Sequence, residues 1–251
     1  TRKFPLFDGA KLICETIPAV TWCDACKKTY PTVQYGKTCP HCGSKKMIDS
    51  LSSGNTFGGR VWSDSKHYYP MLPSASPVQR CPDCMSYYFL EDSNPTRKEW
   101  PQRNNHTDEW HDFFSTHGYG ELSFEETDEA FTALYPSADG ERRSSLLFLW
   151  LYSFNDKYGG RNGESVACPE GYAERHRMVA GELCALYPDN TLLLSELLRE
   201  TGRFEESIDT AKPLLWVINP EMPYLSSLAR QIIKHAKEGD TSVFELSFNG
   251  E

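Results

Sequence analysis

The sequence predicts an α+β fold, with a small β-rich first part followed by an all-helical second part. Three observations carry this. Three Cys-x-x-Cys pairs lie between residues 23 and 84, among short apolar stretches broken by turn residues. From about residue 121 the apolar residues recur at steps of three and four, the period of a helix with one buried face. Phe 13, Tyr 13 and Trp 6 supply large burial units although apolar residues make up only 39% of the 251 residues, so a packed core is expected and wholesale disorder is not.

The β-rich part is read over residues 1–100. Ala19-Val20-Thr21-Trp22 is a strand leading into Cys23. Gly54-Asn55 and Gly58-Gly59 are turn signals. Arg60-Val61-Trp62 and His67-Tyr68-Tyr69 flank Ser63-Asp64-Ser65-Lys66, which predicts a hairpin. Pro70, Pro73 and Pro77 then make an extended stretch poor in backbone donors. Ser93-Asn94-Pro95 punctuates the chain, polar residues follow, and 101–120 are read as a connection.

The nine cysteines stand at 14, 23, 26, 39, 42, 81, 84, 168 and 184. The first twenty residues include Arg2, Lys3, Asp8, Lys11 and Glu15 without an apolar centre and do not read as a secretory signal. Together with the odd cysteine count, this favours metal ligation over a disulfide framework. Cys23-Asp-Ala-Cys26 and Cys39-Pro-His-Cys42 are separated by twelve residues, the spacing of a zinc ribbon. Each pair makes a tight knuckle that aims two sulfurs at one point, and two knuckles complete a tetrahedral sulfur cage. Cys81-Pro82-Asp83-Cys84 is a third knuckle, of the same Cys-Pro-x-Cys form as the second. It pairs with Cys39 and Cys42, or it belongs to a second site completed by Cys14, His67, His106 or His111; spacing leaves both open. The expected metal ligands are Cys23, Cys26, Cys39, Cys42, Cys81 and Cys84, with zinc as the cofactor. Cys14, Cys168 and Cys184 are expected as buried small apolar residues.

The helical part is read over residues 121–251. Ser123 with Glu126 three residues later is a capping box, so a helix starts there and stops at Pro136. A second helix, about 140–156, carries Leu146, Leu147, Trp150, Leu151 and Phe154. A third starts at Pro169, and a fourth covers about 190–201. The fifth has its stripe at Phe204, Ile208, Ala211, Leu215 and Ile218, and a sixth uses Leu225, Leu228, Ile232 and Ala236. Phe244, Leu246 and Phe248 alternate with polar residues as a short terminal strand that docks on the first half. Ala133-Leu134-Tyr135-Pro136 recurs as Ala185-Leu186-Tyr187-Pro188, an internal echo. Leu194, Leu198, Gly202, Phe204, Ser207, Ile208, Ala211 and Pro220 follow the tetratricopeptide pattern, with Gly202 in the turn between paired helices. On that register Arg143, Tyr152, Ser195 and Arg199 line a concave binding face, and Arg199 is expected to be exposed.

Ser53-Gly54-Asn55-Thr56-Phe57-Gly58, Trp62-Ser63-Asp64, Pro70-Met71-Leu72-Pro73 and Cys81-Pro82-x-Cys84, with the tail Glu196–Glu206, resemble an uncharacterised group of bacterial proteins. These join paired Cys-Pro-x-Cys zinc-ribbon-like knuckles to a tetratricopeptide-like helical tail. The resemblance implies that Cys39, Cys42, Cys81 and Cys84 share one metal. Ser65 stands where that group has a Gly after the Asp of the hairpin turn, and Cys23 with Cys26 is an additional pair.

Charge limits the function classes. Residues 1–50 carry eight Lys/Arg against four Asp/Glu, 51–100 carry five of each, and the remainder carries 13 against 26. So acidic a body does not suit broad phosphate binding. No apolar run approaches the roughly 20 residues of a membrane span. No Gly-x-Ser-x-Gly, phosphate loop or His-Glu-x-x-His occurs. The expectation is a cytoplasmic, non-enzymatic zinc-binding adaptor with a protein partner and no membrane. A nucleic-acid-associated protein using the basic head ranks second, and a metal-dependent enzyme using His106–His117 ranks last.

Overall fold

A computed structural model describes residues 19–23, 28–51, 58–69, 76–96, 122–161, 163, 166–217 and 224–247. The α+β architecture is as expected. Eight strands, all of them before the first α-helix, give way to six α-helices among the described residues. β1 (Ala19–Cys23), β2 (Lys28–Thr38) and β3 (Lys45–Leu51) form an antiparallel sheet in that order. β8 (Asn94–Thr96) also pairs with β2, from Gly36 opposite Thr96 to Thr38 opposite Asn94, so the polar stretch after Ser93 opens with sheet rather than punctuation. β4 (Arg60–Val61) with β5 (His67–Tyr68), and β6 (Val78–Arg80) with β7 (Tyr87–Phe89), are two further hairpins. Ser65 has φ 70, a left-handed turn that a glycine would ease.

The helices are α1 (Phe124–Leu134), α2 (Gly140–Lys157), α3 (Glu170–Leu186), α4 (Thr191–Glu200), α5 (Phe204–Ala211) and α6 (Leu225–Lys237). The capping box of α1 is formed: Glu126 N donates to Ser123 Oγ at 3.1 Å, and Ser123 N donates to Glu126 Oε2 at 3.0 Å. The expected long fifth helix is shortened. Beyond Ala211 the chain tightens into a 3-10 turn, Lys212–Trp216, because Pro213 has no N–H to continue the α-helical ladder. None of the described helices is long and apolar enough to cross a membrane.

The main core joins both halves. Trp150, Leu146, Leu147 and Leu151 of α2 are at most 1% exposed, and Val78 and Phe89 of the β6–β7 hairpin belong to the same cluster. Trp150 Nε1 donates to Asp128 Oδ1 at 2.8 Å, which satisfies the indole that burial would otherwise strand. Polar ties follow the same route across the boundary expected near residue 100. Arg80 Nη1 reaches Glu126 Oε1 at 2.9 Å, and Arg142 holds both Glu91 and Asp92.

A second junction runs from the β4–β5 hairpin. Its tip is buried, with Ser63 at 5% and Asp64 at 0% exposure. The Asp64 carboxylate accepts from Asn155 Nδ2 at 2.9 Å, from Lys66 N at 3.1 Å and from Arg161 Nη2. Arg161 also binds Asp156 at 2.5 Å, and Asp156 takes Lys66 Nζ at 2.6 Å. Asn155 passes the network on to Glu200 at 3.1 Å, which faces His176 Nε2 at 3.3 Å. The tail lies beside this hairpin. Ser63 N donates to Phe244 O at 2.9 Å and Leu246 N to Val61 O at 2.8 Å, with one strand bridge between Trp62 and Glu245.

The helix register differs from the one expected for a concave face. Ser195 and Arg199 are 0% exposed. Arg199 grips Glu196 through two bonds of 2.9 and 2.5 Å, donates to the Asp240 carbonyl and lies over the Phe244 ring. Tyr152 is half-buried beneath Lys66 and Arg161, and Arg143 pairs with Glu182. The hairpin tip and tail cover the surface that a helix wheel leaves free. Cys168, expected in the interior, is exposed, and Cys184 is half-buried.

Removing one member of a buried ion pair strands the other, at a cost of about 3–5 kcal/mol. Arg199→Ala therefore leaves Glu196 alone and should lower the urea midpoint by a matching amount. An unchanged midpoint would show that Arg199 lies at the surface.

The pH dependence follows from the same junction. Burial, against the attraction of Arg199, pushes the Glu196 carboxyl up to about 7, and burial likewise raises Asp64. A raised acid contributes stability below its unfolded value that is lost as pH rises through its folded value. Asp240 moves the other way. Burial opposes ionisation there, but His235 and the Ser242 N–H outweigh it and lower the carboxyl, so its contribution is lost on acidification. Thermal stability should peak in acid, at about pH 4, near the unfolded carboxyl values, and decline towards neutrality. Glu196→Gln should flatten the neutral limb, as melting curves across pH would record.

Candidate metal centre

Two six-residue loops of one design build the centre. Cys39–Ser44 closes the β2–β3 hairpin, whose last rung pairs Thr38 with Lys45, and Cys81–Ser86 closes the β6–β7 hairpin, where Arg80 pairs with Tyr87. In the first loop Cys39 N donates to Ser44 O at 2.8 Å and Gly43 N to Cys39 O at 3.0 Å. In the second, Cys81 N donates to Ser86 O at 2.9 Å and Met85 N to Cys81 O at 2.8 Å. Pro40 and Pro82 take turn positions where no donor is needed. Gly43 leaves its turn at φ 74, and Met85 does the same at φ 61.

The loops face each other across four sulfurs. Cys39 Sγ lies 3.8 Å from Cys84 Sγ, and Cys42 Sγ lies 3.7 Å from Cys81 Sγ. All four atoms are within 4.8 Å of one another. Four thiolates bonded at about 2.3 Å to one tetrahedral ion stand about 3.8 Å apart, so the donor set fits zinc in both chemistry and spacing. These separations are far too long for disulfides, and the cysteines are free thiols.

The environment already favours thiolates on one side of the cluster. Burial opposes ionisation of Cys81, but the N–H groups of Cys84 and Asp83 and the Ser44 hydroxyl outweigh it and bring the thiol down to about 6. The Ser44 hydroxyl, 3.2 Å from Cys42 Sγ, also lowers Cys42. Burial pushes Cys39 up to about 11. A bound divalent cation would ionise all four, releasing protons as it enters. Tyr88, buried against Cys39 and Cys81, closes the inner side.

The structure thus brings together Cys39, Cys42, Cys81 and Cys84 of the six expected ligands. Cys23 ends β1, and Cys26 lies outside the described residues, as do Cys14, His106 and His111. His67 is exposed and bonds to Tyr69 OH at 2.7 Å, away from the sulfurs. The supporting role of Ser44 was missed. Its signal was present in the repeated pattern Cys-Pro-x-Cys-x-Ser, since Ser86 holds the matching position.

Residues 1–57 match the family profile HypA, described as hydrogenase/urease nickel incorporation, metallochaperone, hypA. The matched span holds the pairs Cys23–Cys26 and Cys39–Cys42 and ends before Cys81. It is 57 of 251 residues, so the likeness concerns the first hairpins and not the helices. No curated protein and no solved structure matches the chain.

The two loops differ in backbone strain. A side chain in the left-handed region costs about 1–2 kcal/mol. Gly43→Ala should therefore destabilise the zinc-loaded protein by about 1 kcal/mol, while Met85→Gly should be neutral or slightly stabilising. Denaturant midpoints of the two variants measure this, and equal losses from both would refute the shared loop geometry.

Proposed function

We propose that this protein is a non-enzymatic zinc-binding adaptor of the cytoplasm, where thiols stay reduced. In this reading Cys39, Cys42, Cys81 and Cys84 hold one zinc ion that fixes the β-rich part, and the helices present a surface to a protein partner. The observation that carries it is the pair of inter-loop sulfur separations, 3.8 and 3.7 Å, which match the edges of a zinc–thiolate tetrahedron. The metallochaperone profile over residues 1–57 supports metal handling in the same part of the chain.

The helical part, with its internal echo and the Gly202 turn between α4 and α5, is the proposed tetratricopeptide-like scaffold. Since the face carrying Ser195 and Arg199 is filled from within, the partner surface is assigned elsewhere. Trp216, 85% exposed just beyond α5, and the adjoining exposed Val217 make apolar surface of a kind that favours contact with another protein.

Metal analysis of reduced protein tests the zinc assignment. One zinc per chain is expected, lost in Cys81→Ser and kept in the double variant Cys23→Ser/Cys26→Ser. Loss of zinc from the double variant with retention in Cys81→Ser would overturn the ligand set and favour the ribbon spacing of the first two pairs.

A further inference from the structure

The four sulfurs are unequal in their access to solvent. The first cysteine of each loop is turned inward: Cys39 is 2% exposed and Cys81 is 0% exposed, both packed on Tyr88. The second cysteines face outward, but not to the same degree. Cys84 is half-buried, whereas Cys42 is exposed. Its neighbours His41 and Gly43 are exposed as well, and a side chain built at Gly43 would meet no atom within 4 Å. On the facing loop Pro82, Asp83 and Met85 are also exposed. One flank of the cluster is therefore open and centred on Cys42, while the opposite flank is closed.

A closed four-thiolate site has no vacant position, so it exchanges metal only if one ligand gives way to an incoming one. The incoming group must reach the cluster from solvent, and among the described residues Cys42 is the most exposed of the four sulfur-bearing side chains. Ser44 stands ready to receive the displaced sulfur, its hydroxyl 3.2 Å from Cys42 Sγ and 3.3 Å from Cys81 Sγ. The two inward cysteines, one from each loop, would keep both hairpins joined while Cys42 is free.

We propose that Cys42 is the exchange ligand of the zinc site, the first of the four to give way to the sulfur of a thiol-bearing acceptor. This rests on the zinc-site reading above and adds a direction of transfer to it. In the exchange step the acceptor's sulfur supplies an electron pair as Cys42 Sγ departs with the pair of its own metal bond. The acceptor's thiol proton ends on Cys42, and nothing is oxidised or reduced. Among the four ligands Cys42 is by the same geometry the preferred target of thiol-directed electrophiles.

The test uses the full zinc-loaded chain. Substoichiometric N-ethylmaleimide, with the modified peptides identified by mass spectrometry, should label Cys42 roughly tenfold faster than Cys39, Cys81 or Cys84, since reactivity follows exposure of the thiolate. Exposed Cys168 serves as the internal standard for a sulfur outside the cluster. In parallel, zinc transfer to a small dithiol chelator should accelerate with chelator concentration in the unmodified chain. Cys42→Ser should retain one zinc but release it roughly tenfold faster, as expected when an already yielding ligand is weakened. Labelling of Cys84 first, equal labelling of all four, or an unchanged release rate in a folded Cys42→Ser variant would overturn the proposal. If that variant fails to fold, the labelling order in the unmodified chain decides. A chain that holds zinc but fails these tests refutes the exchange role alone, whereas a chain that holds none refutes the zinc site and the exchange role together.

Discussion

The constraint on which the first half depends is the meeting of two hairpin loops at four sulfurs. Two-stranded hairpins are marginal in water unless something covers or crosslinks them. Among the residues before α1 whose side chains are described, the buried apolar ones are Cys39, Val78, Cys81, Tyr88 and Phe89. Three of the five belong to the sulfur cluster itself, so the cluster supplies much of the burial described there. A metal bound there contributes on the order of 10–16 kcal/mol, comparable with the stability of a whole domain. The remaining two, Val78 and Phe89, face the helices, and through them the geometry of the cluster sets how the β6–β7 hairpin meets α1 and α2.

The helical half is tied to this part by buried charge as well as by apolar packing. Asp64, Glu196, Arg199 and Glu200 are all at most 6% exposed and lie on different elements or successive turns. Buried charges of this kind specify one arrangement, because any shift strands an ion without water. The junction is not fully satisfied: Arg161 Nε and Glu200 Oε1 are buried without a hydrogen-bond partner among the described residues. Polar atoms in that position are the usual seats of bound water. The two halves are thus linked at the β6–β7 hairpin by packing and at the β4–β5 tip by ion pairs.

The two loops also separate structural holding from exchange. Their backbones are near copies, yet the inward cysteines pack on Tyr88 while Cys42 meets solvent. A ligand set can therefore be stable as a unit and still have one preferred point of entry. Gly43 and Met85 show the same asymmetry in the backbone, one at home in the left-handed region and the other strained there.

The sequence by itself determined the element types and most of their positions. The capping box at Ser123 and Glu126, the leucine-rich α2, the Gly202 turn and the hairpin around Ser63–Lys66 all rest on interactions within a few residues, which local pattern records. It also determined that Cys-Pro-x-Cys knuckles make sulfur-rich loops. Which knuckles meet was decided only by the tertiary structure, because the Cys39 and Cys81 loops come together through separate hairpins 42 positions apart, and spacing cannot report that distance. The fate of Arg199 was decided in the same way. A helix wheel assigns a charged residue off the apolar stripe to solvent, but here Phe244 and Asp240 arrive from the tail, far along the chain, and cover it. Burial is a property of what packs over a residue, and no local period encodes that.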